Sequence, residues 1–572
     1  MQLVMDSNDS ATQSSSRFGN TTSDVLLSAL FSKICDIFAK AHTAADLQNL
    51  RKLLSDITYE ITKYGTLSLL ADIWKPKLHR FSNEILPRVQ VAPTVAIHIQ
   101  DVENDVANLI DVLTESLTDA NGVKDVQINL PWHLEFAVLC TKVPALPRVR
   151  AFGYRKIGRL RNGLEISPEN LSLFLPITST SAEGFREDES YVAVAAETSI
   201  LQICQHFHIT NILRPNFHFA ARIVDIVDKP TRGGSRDVVN FRIFDFLDKL
   251  LIQSADNLPY VVQLGLMEHL YKTFRNMDLL VLANASEIMC QFAQHSTGLQ
   301  LLEESGGMDL AENTIMSKKN EREFEYFGPY LMRMYITLAR KFPEYCILKC
   351  EKVILLAGQL VFDRTDHSAA AALEFFGQLA SCSVAGKRYL HNLILSTGER
   401  LIDKLLKLLG RRVTSTSGKD SVTDNSIHVL ELFVKRIEGL EPPTDSELQV
   451  ISSLWFESMG DKVLMALFQK ACNPFKDVKL PVLMVFRAMA DQKWAQIKFR
   501  EEPGLIEYLL NRQAEVDTDI KQLKFDVIES MVKSNSLTEV FDSVTVVRLK
   551  EYVRDGPFYM QGQYQVAFEG GA

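Results

Sequence analysis

Residues 372–390 read "ALEFFGQLASCSVAGKRYL": an apolar run closing on small residues, a polar hinge, then a second short helical piece. The stretch decides the fold because it recurs. An offset of 87 toward the N-terminus lays it on "ASEIMCQFAQHSTGLQLL" (285–302), with Ala380 over Ala293. An offset of 110 toward the C-terminus lays it on "VLMVFRAMADQKWAQIKF" (482–499), with Ala380 over Ala490 and Phe376 over Phe486. That last copy sits inside "RAMADQKWAQIKFREEPGLIEYLLNR" (487–512), which adds a third piece opening at Pro503-Gly504.

An offset of 87 is two helical repeats of about 40–47 residues each. The offset of 110 exceeds it by 23. Much of that excess is assigned to "GRRVTSTSGKDSVTDNS" (410–426), whose Ser, Thr and Gly content predicts a long surface loop. Between the copies, "PRVRAFGYRKIGRL" (147–160) and "RDVVNFRIFDFLDKLL" (236–251) read as amphipathic helices. In the second, Val239, Ile243, Phe246 and Leu250 share one face. In "EPPTDSELQVISSLWFESM" (441–459), Thr444 and Glu447 are placed as a capping box, with Leu448, Ile451 and Trp455 as the buried stripe. No series of segments alternates with period 2, so little or no sheet is expected.

Helix pairs or triplets of this period bury their apolar faces only by stacking on neighbours. The predicted fold is therefore all-α, a HEAT/armadillo-type α-solenoid superhelix. Residues 1–23 are expected to be a disordered polar leader, being rich in Ser, Thr, Asn and Asp. Residues 24–135, which include "ADLQNLRKLLSDI" (45–57), fit the period poorly and are expected to form a helical capping region. Repeats are then expected over 136–555, and a C-terminal tail over 556–572.

Composition narrows the function. The net charge of −9 and the lack of a long Lys/Arg run argue against nucleic-acid binding, which depends on phosphate neutralisation. The strongest apolar run, "VILLAGQLVF" (353–362), is too short for a bilayer span, so no membrane association is expected. The N-terminal stretch lacks the apolar core of a signal peptide. Eight scattered cysteines then suit reduced thiols in the cytoplasm or nucleus.

Several constellations resemble chemistry. Cys204, His206, His208 and His218 offer zinc-type donors, but His206 points away from the face shared by Cys204 and His208. Polar or packed residues at a helix end is the plainer reading. Cys346 and Cys350 stand at i and i+4 with no second pair nearby, which reads as two core thiols. "SVAGKRY" (383–389) fails as a phosphate loop, because Ser381 stands where a Gly is needed and Arg388 where Ser or Thr is needed. No HExxH, GxSxG or kinase signature set occurs. The expectation is a non-enzyme with no catalytic, cofactor or metal site. The candidate partner-binding residues are Arg148, Arg155 and Arg159, a basic stripe at i, i+7 and i+11 able to pair with carboxylates. Trp494, at the joint of two helices, reads as packed core rather than an interface anchor.

"ADQKWAQ" (490–496), "EPGLIEYLLNR" (502–512) and "YVRDGPFYM" (552–560), preceded by "WFESM" (455–459), resemble the terminal region of the 26S proteasome non-ATPase regulatory subunit 5 family. "RVRAFGYRKIGRL", "RDVVNFRIFDFLDKL" and "HSTGLQLLEESGG" are similar to its repeat segments, in the same order, so the likeness runs from roughly 140 to the end. This resemblance implies a non-catalytic HEAT/armadillo chaperone for assembly of the proteasome base. It also implies binding to the C-terminal domain of an ATPase subunit, in an intermediate containing a second ATPase and the large non-ATPase scaffold, and departure before the finished particle. No contact residue carries over, since the family has no short contact motif. A monomer outside the complex is expected. The alternatives are a stable scaffold or adaptor solenoid: a resident regulatory-particle subunit, or a transport adaptor. Against the adaptor, Leu78, Phe136, Met459 and Lys498 stand four places after the four tryptophans, where an armadillo import adaptor has Asn.

Overall fold

The computed structural model describes residues 147–162, 164–229, 236–276, 278–415 and 421–559, with Gln48, Arg51, Lys52, Ser55, Asp105 and ten residues between Leu130 and Lys142. The polar leader, most of the capping region and residues 560–572 lie outside the described residues. The chain divides into two compact units, Met1–His269 and Leu270–Ala572.

In the first unit, α1 (Pro147–Arg159), α2 (Pro168–Ser181), α3 (Ser190–His206), α4 (His218–Asp228), α5 (Arg236–Gln253) and α6 (Leu258–Gln263) follow in order. Ser167 caps α2 by accepting from the Asn170 N–H, and Pro168 occupies the first turn, where its missing N–H costs nothing. The α5 stripe Val239, Ile243, Phe246 and Leu250 is fully buried, as its spacing predicts. α1 packs on α3 and α3 on α5. Asn257, buried between turns, donates to the Thr210 carbonyl at 2.9 Å and accepts from the Leu213 N–H, so its amide costs little to bury. α7 (Met267–Asn276) carries the chain across the unit boundary.

After α7, the described residues of the second unit form six helical triplets. They are α8 (Leu279–Phe292), α9 (Ser296–Glu304) and α10 (Gly307–Lys318); α11 (Phe324–Lys341), α12 (Pro343–Lys349) and α13 (Glu351–Asp363); and α14 (His367–Cys382), α15 (Val384–Asn392) and α16 (Leu401–Thr414). The rest are α17 (Ser421–Val434), α18 (Pro442–Ser458) and α19 (Val463–Ala471); α20 (Lys476–Met489), α21 (Lys493–Glu501) and α22 (Leu505–Leu510); and α23 (Thr518–Lys533), α24 (Leu537–Val540) and α25 (Ser543–Asp555). The first helices form a ladder, each packed on the next: α8, α11, α14, α17, α20, α23. Ala293, Ala380 and Ala490, matched by the sequence offsets, are all buried at the ends of ladder helices. The opening stretch is α14 plus α15, and the Pro503-Gly504 turn holds Gly504 at φ 84°, as Gly306 is held at φ 80° two repeat pairs earlier.

Two expectations are corrected. Residues 410–414 and 421–426 are helical rather than loop, since α16 continues to Thr414 and α17 begins at Ser421, while 416–420 lie outside the described residues. Leu405, Leu409 and Val413 carry the buried stripe of α16 through the Gly410–Val413 segment, so packing outweighs the Ser/Thr/Gly composition downstream. The extra length enters instead through a hairpin closed by the Ile394–Arg400 bridge and through α18, which has 17 residues where α15 and α21 have 9. There is also no capping box at Thr444 and Glu447, because α18 begins three residues earlier, with Pro442 in its first turn and Glu441 as N-cap. Proline's fixed φ starts the helix there. Glu447 turns outward to Arg388, at 2.5 and 2.9 Å. Among the described residues the Ile394–Arg400 bridge is the only β pairing, and no helix is long and apolar enough to cross a membrane. The fold is an all-α solenoid of the HEAT/armadillo type.

Candidate functional site

The ladder helices bury one side against their neighbours and present the other to solvent. What lies on that solvent side is a row of charges that pair from rung to rung. Arg333 of α11 meets Glu287 of α8 at 3.0 Å, and Arg487 of α20 stands 3.9 Å from Asp526 of α23. On α17, His428 meets Glu431 at 3.4 Å. The Glu431 hydrogen bond raises the imidazole above its ordinary pKa against the opposing effect of burial, with the charges of Glu431 and Glu374 assisting.

Just past the end of α17, Arg436 grips two carboxylates. Its fork meets Asp445 with two bonds of 2.8 Å and Asp491 with one of 3.0 Å. Burial pushes the Asp445 carboxyl up, but the hydrogen bonds from Arg436 and Gln449 outweigh it and hold the group below the usual range. At Asp491 burial wins and raises the carboxyl despite the same arginine. The guanidinium ties the ends of α17 and α20 to the start of α18.

Between α17, α20 and α23 the ladder opens into a cleft of ≈ 460 Å³. Glu431, Lys435, Met484, Arg487, Ser530 and Lys533 line it. Met484, 38% exposed, is a flexible apolar group among four cations and three carboxylates, Glu431, Glu438 and Asp491. Such a surface can dock another protein through an adaptable apolar contact framed by charge pairs. Arg436 pairs with Asp491 at the cleft wall, while Glu431 reaches His428, Arg487 faces Asp526 and Lys533 pairs with Glu529, so the charges are held in ion pairs rather than as a nucleophile set against a base.

The sequence-predicted residues fall as follows. Arg148, Arg155 and Arg159 are all exposed on α1, and the Arg148 guanidinium lies 6.0 Å from the centre of the Tyr191 ring on α3. Arg150, one step off that stripe, is half-buried and clamped bidentate to Glu187 at 2.7–3.1 Å. Cys204 is buried in α3, where burial pushes its thiol up to about 12. His206 is half-buried with its pKa lowered by burial, while His208 and His218 are exposed, His208 at φ 51°. Among the described residues, no three His, Cys, Asp or Glu side chains gather as a metal ion would need. Cys346 and Cys350 are buried core thiols.

Gly386 lies in the first turn of α15, where its N–H donates to Ser383 Oγ at 2.9 Å. Lys387 is 1% exposed, lies 5.4 Å from the Trp455 ring centre, and donates to the Lys435 carbonyl at 3.3 Å. Burial lowers its pKa to about 8. It is a structural peg for the end of α17, not a phosphate ligand. Trp494 is half-buried against Phe456, at 5.5 Å between ring centres, with its indole N–H donating to Gln492 at 2.9 Å. The ladder cleft was missed in the sequence because its lining comes from three helices far apart in the chain.

The family model described as proteasome non-ATPase 26S subunit matches residues 179–572. The human 26S proteasome non-ATPase regulatory subunit 5 is 26% identical over 342 residues, 59% of this chain and 65% of that protein. The mouse protein of the same name is 29% identical over 343 residues, with the same coverage. The Drosophila melanogaster protein is 20% identical over 337 residues, 58% of this chain and 63% of its own. The aligned stretch thus spans about 65% of the length of the mammalian relatives. Among solved structures, a chain in the structure of Kap95p binding to RanGDP is 12% identical with a TM-score of 0.48, covering 92% of this chain and 59% of that one. With the family model covering more than half of its length, the chain belongs to the proteasome non-ATPase 26S subunit family.

Proposed function

We propose that this chain is a non-catalytic chaperone for assembly of the 26S proteasome regulatory particle base. It binds the C-terminal domain of a base ATPase subunit within an intermediate that also holds the large non-ATPase scaffold, and it leaves before the proteasome is finished. The observation that carries this reading is the family match over 179–572, joined to a repeat fold whose solvent-facing ladder offers charge and a methionine-centred cleft to a protein rather than a small substrate. The exposed Arg148, Arg155 and Arg159 on α1 supply a further basic contact for an acidic partner surface. The chain works in the cytoplasm or nucleus, where proteasomes are built.

Size fractionation of cell extract, probing this chain beside base ATPases and core-particle subunits, tests the proposal. Comigration with small ATPase-containing complexes and absence from finished proteasomes is the expected result. Comigration with the finished particle makes it a resident subunit instead, and the lack of any ATPase overturns the reading.

A further inference from the structure

Away from the ladder face, the second unit holds a separate pocket of ≈ 200 Å³ lined by Glu303, Asp309, Glu312, Tyr335, Tyr345 and Lys349. Four helices build it: α9 gives Glu303, α10 gives Asp309 and Glu312, α11 gives Tyr335, and α12 gives Tyr345 and Lys349. Tyr335 is 1% exposed, and its hydroxyl has no hydrogen-bond partner among the described residues. A buried phenol normally finds a partner, so an unpaired one in a pocket wall points to a group that arrives from outside.

The rest of the lining says what that group is. Glu312 is already joined to Lys352 at 2.5 Å, an exposed lysine at the rim. Among the described residues no cation lies within ion-pair distance of Glu303 or Asp309, and Glu303 accepts from the Tyr345 hydroxyl. The lining thus offers carboxylate oxygens and two phenol oxygens, of which that of Tyr335 is unpaired, and its one cation, Lys349, is exposed. An anion would be repelled. A donor-only cation satisfies every acceptor at once, and among protein groups these are the lysine ammonium and the arginine guanidinium.

We infer that this pocket receives one lysine or arginine side chain projecting from a partner protein, held by Glu303, Asp309 and the Tyr335 hydroxyl. The inference rests on the reading of the chain as a protein-binding chaperone, and adds a basic anchor on the partner as part of what it recognises. Recognition of this kind fixes register, because a single buried cation fits in only one place along a docked surface.

The full chain labelled with ¹³Cζ-tyrosine provides the test, with the two signals assigned through Tyr335→Phe and Tyr345→Phe. N-acetyl-arginine amide and N-acetyl-lysine amide are the probes, and N-acetyl-citrulline amide is the uncharged control. Saturable shifts of both tyrosines with the cations and none with citrulline are expected. E303Q/D309N, which alters exposed carboxylates and leaves the core intact, is expected to weaken the cationic probes about tenfold. Equal response to citrulline, no saturable response, or unchanged affinity in E303Q/D309N overturns the pocket. The double variant is also expected to lose comigration with ATPase-containing complexes, and full retention there overturns the partner assignment. If the cations bind but the wild-type chain meets no ATPase in extract, the pocket stands and the chaperone reading falls.

Discussion

The joint between the first and second helices of a repeat is built in two different ways in α14–α15 and α20–α21, although the sequence aligns the two. At α14–α15 the turn closes through glycine. Ser383 accepts from the Gly386 N–H, and a Cβ on Gly386 would meet the Leu379 carbonyl closer than real Cβ contacts allow. The α8–α9 joint repeats this design, with His295 accepting from the Gly298 N–H and Gly298 pressed on the Phe292 carbonyl. At α20–α21 an alanine, Ala495, stands in the turn, and two fully buried glutamines take over. Gln492 donates to the Val434 carbonyl at 2.7 Å, and Gln496 to the Ala490 carbonyl at 2.8 Å. One design brings backbone into contact with backbone; the other fills the gap with an amide that hydrogen-bonds the exposed carbonyls. The apolar frame is shared, and the polar wiring is specific to each repeat.

The largest effect is expected where the glycine design is broken. Gly386→Ala forces its new methyl into the Leu379 carbonyl and should destabilise the second unit by about 3 kcal/mol. Ala495→Gly, in the other design, should cost only about 1 kcal/mol. Urea unfolding of both variants measures the contrast, and equal losses would erase it.

Next comes the amide design. Gln492→Leu leaves the Val434 carbonyl without its side-chain donor and should cost about 1–3 kcal/mol. The same measurement reads it, and a neutral result would mean that the carbonyl is satisfied otherwise.

Lys387 sharpens the comparison through pH. Burial lowers its folded pKa to about 8 from the ordinary lysine value of 10.5, so between these values the unfolded chain binds more protons than the folded one. Below pH 8 both states are charged and the folded state bears the cost of the buried ammonium. As pH rises from about 8 to about 10.5 that cost is relieved, and the stability contributed by this site increases. The difference in unfolding free energy between wild type and Lys387→Met should therefore rise across that window, by no more than about 3 kcal/mol. A flat difference would mean that Lys387 is as well solvated folded as unfolded.

The smallest effect belongs to the ladder surface. A double-mutant cycle on Glu287 and Arg333, both half-exposed, should give a coupling of about 0.5 kcal/mol or less. A much larger value would make that pair part of the fold rather than a docking surface.

How far the sequence reached follows the same line. Ala293, Ala380 and Ala490 could be matched because each ends an apolar helix, and hydrophobic spacing survives in the sequence whatever its neighbours do. The α5 stripe was legible for that reason. The excess length was assigned to the wrong place, because Ser, Thr and Gly content is a weak guide beside the buried leucines that carry α16 onward. Lys387 and Gln492 could not be read as carbonyl pegs, since their partners Lys435 and Val434 lie some fifty residues away. Arg148, Arg155 and Arg159 could be grouped from the sequence because they share one helix. The ladder cleft and the Tyr335 pocket could not, because each needs several helices to exist.

The central claim is that the chain engages a proteasome ATPase through its ladder. Calorimetric titration of the full chain with each purified base ATPase subunit, beside the variant M484E/R487E, tests it most directly. Binding to one ATPase, weakened about tenfold or more in the variant, is the expected result. Binding to none of them, or equal affinity in the variant, would contradict it.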